Sequence, residues 1–149
     1  MEKGMLVIES ARPSEVSDVV RLATGSLSGL NPERFALACA HDTCMVARET
    51  RSGRILGFAV ARRQEPCEGH IMAIAVDPLH RGEGIGSALL SGVGDVMLRT
   101  GALRLSLEVR SDNRAARDFY IRHGFRPEGL HPGAFPDGQD AVSYGKPIR

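Results

Sequence analysis

The sequence predicts an α+β fold. Three β-prone runs follow one another between residues 43 and 76, and a helical pattern at 84–99 then leads into the most regular strand of the chain, 103–110. Strands clustered first, followed by a strand-helix-strand crossover, give the α+β layout.

Each element has its own local reason. Residues 5–9 read as a strand, and Pro13, Glu15 and Asp18 then mark an acidic helix start for Val16, Val19, Val20 and Ala23 at helical spacing. A loop containing Gly and Ser is expected over 24–30. Asn31-Pro32-Glu33 supplies an N-cap, a first-turn proline and an acid that complements the helix dipole, for a short helix to about Ala40. Segments 43–49 and 54–62 form a hairpin around Thr50-Arg51-Ser52-Gly53, and Gly57 within the second segment marks a bulge. The next strand, 70–76, follows a polar link with Pro66 and Gly69.

From Gly84 to Arg99, Ile85, Ala88, Leu89, Val93, Val96 and Met97 recur at helical spacing, and Thr100-Gly101 is the stop. Gly92 and Gly94 weaken this helix by about 1 kcal/mol each relative to alanine, so tertiary packing must hold it. In the strand that follows, Leu103, Leu105, Leu107 and Val109 share one face, and Arg104, Ser106, Glu108 and Arg110 the other. Ser111 or Asp112 caps a last helix to about His123, ended by Gly124 and the apolar Phe125. A proline- and glycine-rich loop over 127–138 and a strand near 140–147 complete the order βααβββαβαβ. No repeat or linker divides residues 1–149, so one domain is expected.

Charge and composition exclude several functions. Nineteen basic against eighteen acidic residues leave a net charge of +1, with no global field to gather nucleic acid or an anionic membrane. No apolar stretch approaches membrane-spanning length and the N-terminus has no signal-peptide core, so a cytoplasmic location is expected. Cys39, Cys44 and Cys67 form no C-x-x-C pair, which argues against a disulfide framework or a zinc site; no metal is expected. The oligomeric state is not legible.

The segment AVDPLHRGEGIGSALL carries the chemistry. Gly82, Gly84 and Gly86 remove the Cβ atoms that would block a ligand, while the helix start aims free N–H groups and a partial positive charge at it. That is a phosphate cradle, and Arg81 can add a charged fork. No lysine follows as a P-loop requires, and G-x-G-x-G is not the G-x-G-x-x-G of a dinucleotide turn.

With Arg81, Gly84 and Gly86 in R-x-x-G-x-G, the turn resembles the pyrophosphate-binding motif of the GCN5-related N-acetyltransferases (GNAT). The resemblance continues through LEVRSDNRAARDFYIRHGF (107–125), and the strings IAVDP, LEVR, N-x-x-A, Y-x-x-x-GF and PDG-x-D-A place it near the ribosomal-protein-alanine and protein N-terminal acetyltransferases. It implies a mixed, mostly antiparallel sheet of six to seven strands with about four helices, splayed between the fourth and fifth strands. It implies acetyl-CoA as co-substrate, with Ile74, Ala75 and Val76 on the pantetheine arm. Arg81, Gly82, Glu83, Gly84, Ile85, Gly86 and Ser87 then hold the pyrophosphate, and Asn113 the thiol end.

Attack on a thioester needs a neutral amine, yet a peptide α-amino group is mostly protonated at pH 7, with a pKa of about 7.7–8.0. A base is required, and Glu108 projects from the polar face of its strand. The same resemblance assigns Glu108 as general base, Tyr120 as general acid toward the departing thiolate, and the main-chain N–H of Val76 as oxyanion donor. Standing alone, Glu108 would be read as a solvated residue or as an ion-pair partner of Arg104 or Arg110.

The acceptor stays open at this point. Phe135 is the expected substrate-binding residue, half of an aromatic pair that the resembled enzymes place before the PDG segment; Ala134 stands at the other position. A protein N-terminal α-amine is the leading expectation. A small-molecule amine such as a polyamine, amino acid or antibiotic is the alternative, and a non-catalytic acyl-CoA-binding module the third reading.

Overall fold

A computed structural model describes residues 5–27 and 30–148. Its regular elements are β1 (Leu6–Ser10), α1 (Val16–Ser26), α2 (Pro32–His41), β2 (Thr43–Glu49), β3 (Ile55–Gln64), β4 (Glu68–Val76), α3 (Ile85–Arg99), β5 (Arg104–Arg110), α4 (Arg114–Arg122), β6 (Arg126–His131) and β7 (Ala141–Pro147). The strands form one seven-stranded sheet in the order β1-β2-β3-β4-β5-β7-β6. Only β4 and β5 run parallel, and the crossover that a parallel pair requires is α3.

Helices cover both faces. α1 and α2 bury Val19, Ala23, Phe35, Ala38 and Cys39 against Cys44, Val46, Phe58 and Val60 of the sheet. On the other face, α3 and α4 pack Leu89, Leu90, Val93, Met97 and Tyr120 with Phe125 against Met45, Ala59, Leu105, Leu107 and Tyr144. Strand alternation explains the division: Val46 and Val60 point one way, their neighbours Met45 and Ala59 the other.

The splay between β4 and β5 is present. Their ladder holds only from Glu68–Arg104 to His70–Ser106. On its other edge, β4 changes register with β3 from Ala61–Ile71 to Val60–Ala73, leaving Met72 as an extra residue. Such a bulge bends a strand, and this one lies where β4 parts from β5. The bulge expected at Gly57 also occurs, where pairing steps from Ala47–Gly57 to Arg48–Ile55. A Cβ on Gly57 would stand 2.9 Å from Leu89 and 3.0 Å from the Ala75 carbonyl, so glycine lets α3 close on the sheet.

The structure corrects four local expectations. α1 continues through Ser26, so the loop expected from residue 24 is shorter; its residues 28–29 lie outside the described residues. Leu103 precedes β5 and is exposed rather than joining its apolar face. The cap of α4 is Asn113, whose side-chain oxygen accepts from the Ala116 N–H at 3.1 Å, not Ser111 or Asp112. β6 occupies the start of the expected 127–138 loop. It is an edge strand, where Pro127 and Gly129 interrupt less pairing than they would in the sheet interior.

Candidate active site

Beyond β4 the chain makes the glycine turn. Asp77 accepts from the Leu79 N–H at 2.9 Å and starts a single 3-10 turn, Pro78–His80. Gly82 and Gly84 follow with φ of +82° and +81°, a region that L side chains rarely adopt. Gly84 is the N-cap of α3 and offers no side chain to the first N–H groups, which leaves those donors for a ligand. A Cβ at Gly82 or Gly84 would meet nothing within 4 Å, so open space lies in front of the turn.

That space is a cavity of about 620 Å³. It is lined by Ile74, Ala75, Val76, Arg81, Gly82, Gly84, Ile85, Gly86, Ser87, Asn113 and Tyr120 among others. The N-terminal end of α3 and the unpaired edge of β4 thus face one volume, with helix N–H donors at one end and strand amides along the side. Glu83 is the exception among the expected coenzyme residues. It is absent from the lining, and its carboxylate turns to His80 at 3.2 Å.

A second cavity, of about 510 Å³, lies between α2 and the splayed strands. Glu108, Arg110 and Phe135 line it with Arg34, Phe35, Met72, Leu27 and Leu30. The two cavities share Ser26, Leu27, Ile74, Asn113, Ala116 and Tyr120 as common wall. Glu108 from β5 and Tyr120 from α4 therefore both line the second cavity, and Tyr120 lines the first as well.

Tyr120 is 6% exposed, edge-on to Phe119 and Phe125 at ring separations of 5.2 and 5.5 Å. Burial pushes its phenol above the ordinary tyrosine value, so the hydroxyl keeps its proton throughout the neutral range. Asn113 spends its side-chain oxygen on the α4 cap, leaving the amide N–H groups directed to ligand or solvent.

Glu108 is exposed on the cavity wall. Its strand neighbours do not neutralise it. Arg104 pairs with Glu68 and Glu128, while Arg110 is held by Asp112 at 3.2 Å and by Asp137 at 2.5 Å. The Arg110 guanidinium also lies over the Phe135 ring, 5.0 Å from its centre. The ion-pair role open to a strand glutamate is thus taken by other carboxylates.

His123, which with His131 could also serve as a base though its spacing does not favour that role, lines the first cavity, and Arg34 and Met72 line the second. His123 accepts or donates at Ser87 Oγ, 2.8 Å from its Nε2, while its Nδ1 meets the Phe119 carbonyl at 2.7 Å. The three- and four-residue spacing of Ala116, Tyr120 and His123 was a usable signal, since it puts them on one face of α4. Arg34 and Met72 had no such signal, because they reach the second cavity through the α2 placement and the β4 bulge. Among the described residues no group of three or more His, Cys, Asp or Glu could hold a metal, and no helix is long and apolar enough to cross a membrane.

Comparison with known proteins gives a consistent picture. Residues 18–125 match the model of the acetyltransferase (GNAT) family. A protein of Mycobacterium leprae is 34% identical over 145 residues, covering 91% of this chain and 39% of its own length. The ribosomal protein bS18-alanine N-acetyltransferase of Escherichia coli is 34% identical over 102 residues, covering 66% of this chain and 68% of its own. The crystal structure of Ard1 from Thermoplasma volcanium superposes with a TM-score of 0.87 at 27% identity, covering 97% of this chain and 98% of that one. This chain accordingly spans between two fifths and about two thirds of these two sequence relatives.

Proposed function

The chain belongs to the acetyltransferase (GNAT) family, and from that premise we propose that it transfers an acetyl group from acetyl-CoA to the N-terminal α-amino group of a protein or peptide. The observation that carries the reading is the shared wall: a phosphate-cradling cavity and a groove bearing a free carboxylate meet at Tyr120. The E. coli relative, named for acetylating a ribosomal protein's alanine, supports a peptide acceptor.

The residues fit the coenzyme. The left-handed glycines leave open space where side chains would intrude, the uncapped α3 N-terminus offers donors to a diphosphate, and the free β4 edge offers amides to the pantetheine arm. When bound, the coenzyme supplies an acetyl thioester. Glu108 takes the proton of the acceptor amine, directly or through a water, as the amine attacks. Tyr120 donates a proton to the departing sulfur. A phenol raised by burial is a weak acid, but the same desolvation disfavours the sulfur anion, which favours the transfer. Holding both reactants at one junction supplies the proximity term, which can reach about 7–11 kcal/mol in well-oriented systems.

A polyamine acceptor is the poorer fit. Among the described residues the acceptor cavity carries one carboxylate, Glu108, beside Arg34 and Arg110, and a polycation needs more. The test is a thiol-release assay with peptides and small amines, with mass spectrometry to place the acetyl group. Acetyl on the peptide α-amine supports the proposal, and turnover confined to polyamines overturns it.

A further inference from the structure

We propose that Arg34 selects acceptors that carry a carboxylate close to the acetylated amine, namely peptides with Asp or Glu at the second or third position. The inference rests on the peptide-acceptor reading above and narrows it.

It follows from the charges that line the acceptor cavity. Among the described residues these are Glu108, Arg34 and Arg110. Arg110 is already matched by Asp112 and Asp137. Glu108 is matched, on the proposed chemistry, by the amine it deprotonates. Arg34 is left over: its backbone N–H is taken by the Asn31 cap at 3.0 Å, but no described residue accepts from its guanidinium. The adjacent Glu33 is one position away on the helix, and residues one apart do not face each other.

Two further features strengthen the field at that point. Arg34 stands in the first turn of α2, where the helix carries its positive end. Arg34 is exposed, and Leu27, Leu30, Phe35 and Met72 give the same cavity apolar wall, so competing water is partly excluded once an acceptor covers it. A guanidinium fork matches a carboxylate in two parallel hydrogen bonds. An extended peptide advances roughly 3.3–3.6 Å per residue, so the second and third side chains are those that accompany the amine into a groove of this size. A free dicarboxylic amino acid presents the same chemistry and is tested alongside.

The experiment measures kcat/KM by thiol release for peptides with a common first residue and Asp, Glu, Gln or Lys at position two or three, with free aspartate and glutamate as a separate arm. Wild type should favour the acidic over the lysine peptides by up to about fivefold, the upper range for one exposed ion pair, and 0.5 M salt should erode that preference. Arg34→Glu should invert the ranking and Arg34→Gln flatten it, with KM for acetyl-CoA unchanged in both. Equal ranking in wild type and Arg34→Glu overturns the inference while leaving the peptide reading intact. Turnover of free amino acids but of no peptide overturns both, as does inertness toward every acceptor in protein that still binds acetyl-CoA.

Discussion

Arg110 shares the outer face of β5 with Glu108, two residues away, yet its guanidinium is drawn off by Asp137 at 2.5 Å and Asp112 at 3.2 Å. The same contacts hold the Asp137 carboxyl below its ordinary range. A carboxylate without an ionic partner among the described residues is available for proton transfer. Glu108→Gln should therefore lower kcat by roughly 10²–10⁴-fold, the range of general-base contributions, with acetyl-CoA affinity unchanged by calorimetry. Retention of wild-type turnover at neutral pH would remove Glu108 from the chemistry.

Releasing the clamp should have a related effect. In Asp112→Asn/Asp137→Asn, Arg110 loses both carboxylates and Glu108 becomes its nearest alternative on the strand face. Ion pairing stabilises the charged form of a carboxyl and makes it a poorer base. The expected outcome is a kcat several-fold lower with acetyl-CoA affinity unchanged. An unchanged kcat would show that Arg110 does not reach Glu108.

Tyr120→Phe removes the buried hydroxyl while keeping the ring contacts with Phe119 and Phe125. Stability should change by less than about 1.5 kcal/mol, as for other volume-conserving swaps. Single-turnover thiol release should slow by about 10²-fold or more, the lower end of what a positioned acid contributes. A burst at the wild-type rate would mean that solvent protonates the sulfur.

Two glycines separate binding from folding. At Gly84, with φ of +81° and nothing within 4 Å of an added Cβ, alanine strains the backbone by about 1–2 kcal/mol and obstructs the cradle. Gly84→Ala should weaken acetyl-CoA binding tenfold or more, with a small loss of melting temperature. Gly57→Ala instead forces a methyl group against Leu89 and the Ala75 carbonyl, overpacking the α3 interface by about 1–3 kcal/mol. It should melt earlier while the folded protein binds acetyl-CoA normally. The opposite pattern would exchange the roles given to the two positions.

What could be read in advance followed local physics. Residues 103–110 alternate strictly and 84–99 repeat at helical spacing, so β5 and α3 were plain, and the glycines between β4 and α3 announced an opening at the helix start. β6 was not plain, because Pro127 and Gly129 are strand breakers anywhere but at an edge, and sheet position is a tertiary property. Glu108 could be placed on a polar strand face, but the fate of Arg110 depended on Asp137, which is close only after the chain has folded back. Arg34 was invisible for the same reason, since its cavity is closed by β5 and residue 135, remote in sequence.

A last prediction concerns the buried ion pair behind the sheet. Arg48 on β2 donates from Nε to Glu15 at 2.7 Å and from a terminal nitrogen at 2.6 Å, with Glu9 at 2.9 Å beyond. Arg48 and Glu15 are both buried, whereas the Glu9 side chain is about half exposed. The Arg48 hydrogen bonds hold the Glu15 carboxyl below its ordinary value, against the opposing effect of burial. As pH falls, the unfolded chain therefore takes up the Glu15 proton first. The stability that this group confers is complete above its unfolded pKa of about 4.3 and is lost as pH drops through the lower folded value. Glu15→Ala strands a buried guanidinium with only the half-exposed Glu9 and should cost about 3 kcal/mol at neutral pH, or roughly 6–12 °C in melting temperature. Glu9→Gln should cost less than about 1 kcal/mol. Melting curves from pH 7 to pH 3 should show wild type losing its advantage over Glu15→Gln below about pH 4.3. Parallel curves for the two proteins across that window would mean that Arg48 and Glu15 do not couple folding to protonation.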